Sequence, residues 1–275
     1  MLSLWLCADK QGKEWEKQRA WAFSNATKDF WGTVSSEPGT GGDLSKTTCV
    51  ANRSTNNLEM DYELFGAKHF GSGFGISKFM VTTAIPNREN SPDLFVVSPI
   101  GSNRCKVTSE WNAIGMKATQ SHGVEFIGEP AKRVVYRGGM RKLVTATGGF
   151  FACCYSAAIV GIVDIALETA REKANLNSGF AASRWPMIEM EYWKICAYLD
   201  SMIQCIEQAE NSRDHCVKGK MAIAELAEEI LLQLCRVVGG WSLMHNSPYG
   251  HWLQDVRALG FLRPPWPLSH KILEM

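Results

Sequence analysis

The sequence predicts an α+β protein: an antiparallel β-barrel-like middle domain followed by a C-terminal antiparallel four-helix bundle. Three observations predict it. Up to residue 147, turn-forming clusters recur at short intervals ("EPGTGG", "STNN", "GSGFG", "IPNREN", "IGSN", "RGG"). Between them lie short runs rich in β-branched and aromatic residues, as strands of a sheet or barrel require. From residue 148 onward the apolar residues recur at three- and four-residue steps, the period of a helix buried on one face. Strands first and helices second segregate the layers. The predicted domains are a residual N-terminal helical segment over 1–30, a β-domain over 31–147 and a helical domain over 148–275.

The elements follow in order. "KEWEKQRAWAFSNA" reads as a helix feeding the sheet. "TTCVA", "YELFGAKHF", "KFMVTTAI", "DLFVVSPI", "GVEFI" and "RVVYR" read as strands. Helices are predicted over 150–174, 185–211 and 217–238. In the third, Val217, Met221, Ala224, Leu231, Leu234 and Val238 form the apolar stripe, and Gly239-Gly240 ends it as a C-cap. A fourth helix starts at Ser247-Pro248, serine as N-cap and proline at the first helical position, and stops before Pro264-Pro265. Long helices with short joins predict the bundle.

Composition narrows the function classes. The chain has 275 residues, 45% hydrophobic and 21% charged, with a formal net charge of +1. That is an ordinary globule without the basic excess of a nucleic-acid binder. The nine cysteines include no C-x-x-C spacing and predict reduced thiols of a cytoplasmic protein, with neither a disulfide framework nor a metal site. Residues 143–163 carry no charge and are long enough to span a bilayer. The stretch contains Thr145, Thr147, Gly148, Gly149 and Ser156, however, and runs on into the amphipathic "DIALETAREKA". It therefore predicts a helix buried in a bundle rather than in a membrane.

The glycine-rich stretch "SSEPGTGGD" over 35–43 is the first candidate site. Asp43 follows its glycine pair where a phosphate-binding P-loop needs lysine, and its spacing misses the dinucleotide fingerprint. It lacks the alternating oxygen ligands and closing glutamate of a calcium loop. Its bare backbone N–H groups suit an anion or a planar ring, and equally a surface turn.

Three segments in order add to this reading. "GTVSSEPGTGGD", "GAKHFGSG" and "EWNAIGMKATQSHGVEFIGEPAKRVV" resemble the flavin loop, the following strand and the next loop–strand segment of the acyl-CoA dehydrogenase family. "RVVGGWSL" and "LQDVRALGFL" resemble that family's double-glycine turn and its arginine–aspartate helix. The resemblance covers most of residues 30–262. It implies a flavin, FAD with FMN as the alternative, and a small-molecule substrate such as an acyl thioester. By the same resemblance, Ser36 hydrogen-bonds the pyrimidine edge of the isoalloxazine, and Thr33 and Ser35 supply neighbouring contacts. Phe70 covers the flavin face, and Ser72 stands near its redox nitrogen. Gly239 and Gly240 meet the flavin phosphates, with Arg236 offering them a positive charge.

The departures bear on the chemistry. A dehydrogenase of this family takes an α-proton with a glutamate, yet the two family positions for that base fall on Phe151 and Arg263. The family's phosphate-binding arginine falls on Ala152. His122 and Arg263 are the remaining catalytic candidates. His69 alternates with Phe70 and is expected to face away from the site. About one helix precedes Trp31 where the family has a helical domain, which implies a fragment, a wall supplied by a partner, or an open acyl pocket. Two activities follow: an acyl-CoA dehydrogenase-type flavin oxidoreductase, or a reduced-flavin monooxygenase on the same scaffold, which needs no α-proton base. A non-catalytic flavin-binding remnant is the third reading. Trp185, Tyr192, Trp193, Trp241 and Trp252 supply aromatic area that predicts a homodimer or homotetramer.

Overall fold

The computed structural model describes residues 5, 12–54, 60–177, 179–208, 212–262 and 264–274. The chain divides into two compact units, Met1–Asn112 with Lys117–Thr147, and Ala113–Met116 with Gly148–Met275.

The first unit is built on seven strands: β1 (Trp31–Thr33), β2 (Val50–Arg53), β3 (Tyr62–Gly71), β4 (Phe79–Pro86), β5 (Asp93–Val97), β6 (Cys105–Ser109) and β7 (His122–Arg133). Strands β4, β2, β3, β7 and β5 pair in a closed ring, with β1 added to β4 and β6 to β7. Closure removes the free edges that an open sheet would expose. The pairings are not all antiparallel: β4 runs parallel to both β1 and β2. The core within holds Val34, Leu64, Met80, Phe95, Val97, Val124 and Phe126.

The strands differ from expectation: one expected strand is absent, and one strand, β6, was not expected. "RVVYR" is not one. β7 ends at Arg133, and the Val135 N–H is taken by the side-chain oxygen of Gln18 at 3.0 Å. Gln18 lies on α1 (Lys13–Ala26) and also donates to the Arg133 carbonyl at 2.9 Å, so one amide docks that helix on the end of β7. β6 carries almost no inward face, one residue half-buried and four exposed, and so lacked the apolar alternation that marks a strand.

The second unit contains most of α2 (Gly139–Lys173), then α3 (Gly179–Gln208), α4 (Arg213–Val238), α5 (Tyr249–Gly260) and α6 (Trp266–Leu273). Buried Ile159, Val163, Leu167, Trp185, Ile195, Ile223, Ile230, Leu231 and Tyr249 share one core cluster. The Tyr249 hydroxyl donates to the Ala166 carbonyl at 2.6 Å, satisfying its one polar atom inside that core. α2 begins at Gly139, eleven residues before the expected start. The Gly148-Gly149 pair lies inside this helix and is a close-approach site. A Cβ on Gly149 would lie 2.5 Å from the Ser212 hydroxyl. α2 is long and apolar enough to cross a membrane by length and composition, and 44% of its most apolar window is buried within the protein.

α4 ends where Gly239 adopts φ 77°, as expected of a C-cap glycine. The start of α5 differs from expectation. Pro248 is its N-cap, and the buried Ser247 hydroxyl makes no capping bond.

Candidate functional site

The 35–43 loop is anchored before it turns. The Val34 N–H bonds the Val81 carbonyl at 3.0 Å, and the Thr33 and Ser35 hydroxyls both donate to that carbonyl at 3.3 Å. From β4, Thr82 donates to the Val34 carbonyl at 2.6 Å and Thr83 to the Ser35 carbonyl at 3.3 Å. Thr33 and Ser35 are thus tied to β4 through their hydroxyls. The loop itself closes on Glu37 and Asp43. Thr40 bonds the Glu37 carbonyl through both its N–H and its hydroxyl, and the Asp43 carboxylate accepts from the Ser45 N–H and hydroxyl. Gly39, Gly41 and Gly42 take φ of 77°, 61° and 81°, values that need glycine.

Glu37 and Lys68 hold this loop against the barrel. The Lys68 ammonium, with 0% side-chain exposure, lies 2.5 Å from the Glu37 carboxylate, which is 2% exposed. Lys68 also donates to the Thr83 carbonyl and hydroxyl, at 2.5 and 3.1 Å. Glu37 accepts further bonds from the Thr48 N–H at 2.6 Å, the Thr48 hydroxyl at 2.7 Å and the Cys49 N–H at 3.1 Å. Burial alone would raise the Glu37 carboxyl pKa. The hydrogen bonds from Lys68 and Thr48 together outweigh it and hold the group below its ordinary range. Burial pushes the neighbouring Cys49 thiol up to about 11, so it stays protonated. Lys68, one position before His69, carries no signal in the sequence for this role.

Next to this clamp, Ser36 bridges to His69, whose N–H bonds the Ser36 carbonyl at 2.8 Å. The β3–β7 register then shifts between Lys68 and Gly71. At that bulge Phe70 takes φ 56°, a left-handed conformation that costs a residue with a Cβ about 1–2 kcal/mol. The Phe70 ring is 60% exposed and meets Trp111 edge-on at 6.0 Å between centroids. Ser72 follows at once, bridged to Thr33. The structure therefore brings Thr33, Ser35, Ser36, Phe70 and Ser72 together along one rim of the β unit.

A chain of hydroxyls backs that rim. Ser72 Oγ lies 2.9 Å from Ser121 Oγ, which lies 2.8 Å from Thr119 Oγ1. Ser121 is buried. His122 packs edge-on against Phe74, and its Nδ1 accepts the Trp111 N–H at 2.9 Å. That contact fixes Nδ1 as the unprotonated nitrogen, so the ring presents a donor at Nε2 rather than a base.

The other predicted residues lie in the helical unit. Arg236 is exposed in the last turn of α4, and the exposed Gly239 and Gly240 begin the single-turn helix that follows. A Cβ on either glycine would meet nothing within 4 Å. Phe151 on α2 is half-buried and Ala152 fully buried. Arg263 lies outside the described residues. Asp255 and Arg257 are engaged separately. Asp255 accepts the Met116 N–H at 2.5 Å, and Arg257 lies 3.6 Å from Glu228.

No protein-family model matches the chain, and no curated protein matches it by sequence. Solved structures do match. The acyl-CoA dehydrogenase from Geobacillus kaustophilus superposes with a TM-score of 0.83 at 14% identity, over 96% of this chain and 73% of that one. Butyryl-CoA dehydrogenase from Megasphaera elsdenii gives 0.82 at 14%, over 96% and 72%. PigA, solved with FAD and proline, gives 0.81 at 17%, over 98% and 75%. At these identities the likeness is one of architecture, and the chain has the acyl-CoA dehydrogenase fold.

Proposed function

We propose that the protein is a flavin-dependent oxidoreductase of the acyl-CoA dehydrogenase type, with FAD as its cofactor. The rim of the β unit carries this reading. Phe70 is held left-handed with its ring 60% exposed, between the Ser36–His69 bridge and Ser72. Strain spent on exposing an aromatic ring suits a planar ligand. PigA, one of the structural neighbours, is solved with FAD.

The residues present fit the ring end of a flavin: an open aromatic face, hydroxyls at Ser36 and Ser72, and a loop whose backbone is already fixed. They fit the phosphate end less well. The family's arginine position is the buried Ala152, leaving Arg236 and the backbone of Gly239 and Gly240 for that role. A bound flavin would supply the two-electron acceptor. Ser36 would orient its pyrimidine edge, Phe70 would exclude water from one face, and Ser72 would donate near the redox nitrogen.

Replacing Phe70 by glycine separates these roles. Relief of the left-handed strain, less the added entropy of the unfolded chain, should raise stability by about 0.5–1 kcal/mol. Loss of the stacked ring, worth about 0.5–1.5 kcal/mol, should weaken FAD binding by up to about tenfold. Chemical denaturation and a flavin titration read the two effects.

The substrate class is a small molecule, an acyl thioester in the first instance. A reduced-flavin monooxygenase is the second reading, and one observation favours it. Phe151 is not acidic, and the His122 Nδ1 is occupied by a backbone N–H. Neither is placed to remove an α-proton. Anaerobic bleaching of the bound flavin by an acyl-CoA supports the dehydrogenase; oxygen-dependent product from supplied reduced flavin supports the monooxygenase. Failure to bind any flavin removes both.

We further propose a homodimer or homotetramer. Of the aromatic residues expected to drive association, Trp185 is buried within the helical unit and Tyr192 donates to Asp164. Trp193 stays 68% exposed, on a helix that also exposes Phe180, Met187, Met190 and Tyr198. Sedimentation should give a multiple of the 30.6 kDa chain mass, and a monomer at micromolar concentration would contradict this.

A further inference from the structure

Three indole N–H groups, those of Trp5, Trp15 and Trp31, are buried with no hydrogen-bond partner. A buried donor left unmade costs about 1–3 kcal/mol. Three in one cluster call for a physical reason.

The three rings form one aromatic chain. Trp31 lies 5.7 Å from Trp5 between centroids, edge to face. Trp5 stacks on Trp15 at 6.3 Å and 20° between planes, and Trp15 meets Tyr136 at 5.4 Å. A branch runs from Trp31 to Trp21 at 5.5 Å. Trp5 and Trp15 are 0% and 1% exposed, whereas Trp21 and Tyr136 are only half-buried. At its other end the chain enters the rim, because Trp31 opens β1, two residues before Thr33 and its bridge to Ser72. All of these residues belong to the β unit.

We propose that Trp31, Trp5, Trp15 and Tyr136 form a path for single electrons between the rim and the surface. The inference rests on the flavin reading of that rim for its oxidant, not for its geometry. Indole and phenol are among the most easily oxidised side chains, and rings in van der Waals contact pass an electron from one to the next. The oxidant would be a light-excited oxidised flavin, the electron acceptor that a bound cofactor would supply, and the Trp31 ring would give up one electron to it. Trp31 is refilled from Trp5, Trp5 from Trp15 and Trp15 from Tyr136. The Tyr136 phenol then loses its proton to water. The net change is one electron gained at the rim, with one phenoxyl radical and one proton at the surface.

The orphaned donors explain themselves in this scheme. An oxidised indole is a far stronger acid than the neutral ring and gives up its N–H proton to a suitable hydrogen-bond acceptor, which traps the charge as a neutral radical. With no acceptor at Nε1, the rings of Trp31, Trp5 and Trp15 keep their protons, and the charge moves on. Trp31, like Tyr136, is half-buried as a residue, but its Nε1 is buried.

Two measurements test this. The first needs no flavin: pulse radiolysis with azide radical, which removes one electron from tryptophan and becomes azide. The indole radical signal should decay into phenoxyl in a first-order step independent of protein concentration, and Tyr136→Phe should remove most of that step. The second uses protein whose FAD binding has been verified by visible absorbance. Flash excitation should give indole and phenoxyl radicals in the wild type, and Trp31→Phe should cut their yield at least about tenfold while FAD still binds. Unchanged yields in both variants would overturn the proposal and leave the cluster as packing. If no flavin binds, the flavin reading falls, and the radiolysis result alone decides the path.

Discussion

Lys68→Met is expected to destabilise the β unit by about 3–5 kcal/mol, the usual cost of removing one partner from a buried ion pair. The variant leaves the Glu37 carboxylate, 2% exposed, with its Thr48 and Cys49 bonds but no counter-charge. The Thr83 carbonyl also loses a donor. Glu37→Gln in the same background removes the stranded charge, so the double variant should be more stable than Lys68→Met alone, and the cycle yields the coupling. The pH dependence has a defined sign. The folded-state pKa of Glu37 lies below its ordinary 4.5. Its contribution is therefore complete above the unfolded carboxylate pKa and is lost as pH falls through the lower folded value. The stability gap between wild type and Glu37→Gln should close in acid. Urea melts followed by tryptophan fluorescence read all three variants, and a Lys68→Met loss below about 0.5 kcal/mol would show that the pair is not a clamp.

Lys220 is expected to give the helical unit a rising stability in alkali. Its ammonium is buried on α4, and its bonds are to the Gly260 carbonyl at 2.8 Å and the Pro264 carbonyl at 2.9 Å. It takes part in none of the ion pairs among the described residues. Burial pulls its pKa down from 10.5 to about 8. Below the folded value both states are protonated, and the fold carries the cost of a buried cation. Between the folded and unfolded values only the unfolded chain holds the proton, so stability climbs with pH. The stability of the wild type relative to Lys220→Met should rise by about 2–3 kcal/mol from about pH 7 to about pH 10. The comparison cancels the thiols and tyrosines that both proteins share. A difference that stays flat would mean that Lys220 is not held as a buried cation.

Much of the fold was legible because it follows local rules. The helix over 13–26 and strands β3, β4 and β5 declare themselves by period and bounding turns. What was hidden depends on partners far along the chain. Nothing local tells β4 to pair in parallel with β1 and β2. Nor does a glycine pair say whether it ends a helix or admits a neighbour, as Gly149 does for Ser212. The site divides the same way. Ser36, Phe70 and Ser72 are candidates by resemblance, and they lie along one rim. The Lys68–Glu37 contact joins residues 31 positions apart, and the Ser72–Ser121 contact residues 49 apart. Neither has a motif. His122 is a catalytic candidate from its type and its place in the resembling segment, whereas the Trp111 backbone N–H on its Nδ1 comes from 11 residues away and has no motif.

The central claim is that the rim holding Ser36, Phe70 and Ser72 binds a flavin. The visible spectrum of the purified protein, before and after titration with FAD and then FMN, tests it most directly. Flavin absorbance near 450 nm (roughly the free-flavin band) should stay with the protein through gel filtration, with weaker retention in Phe70→Gly. Protein that elutes colourless after saturation with either flavin would contradict it.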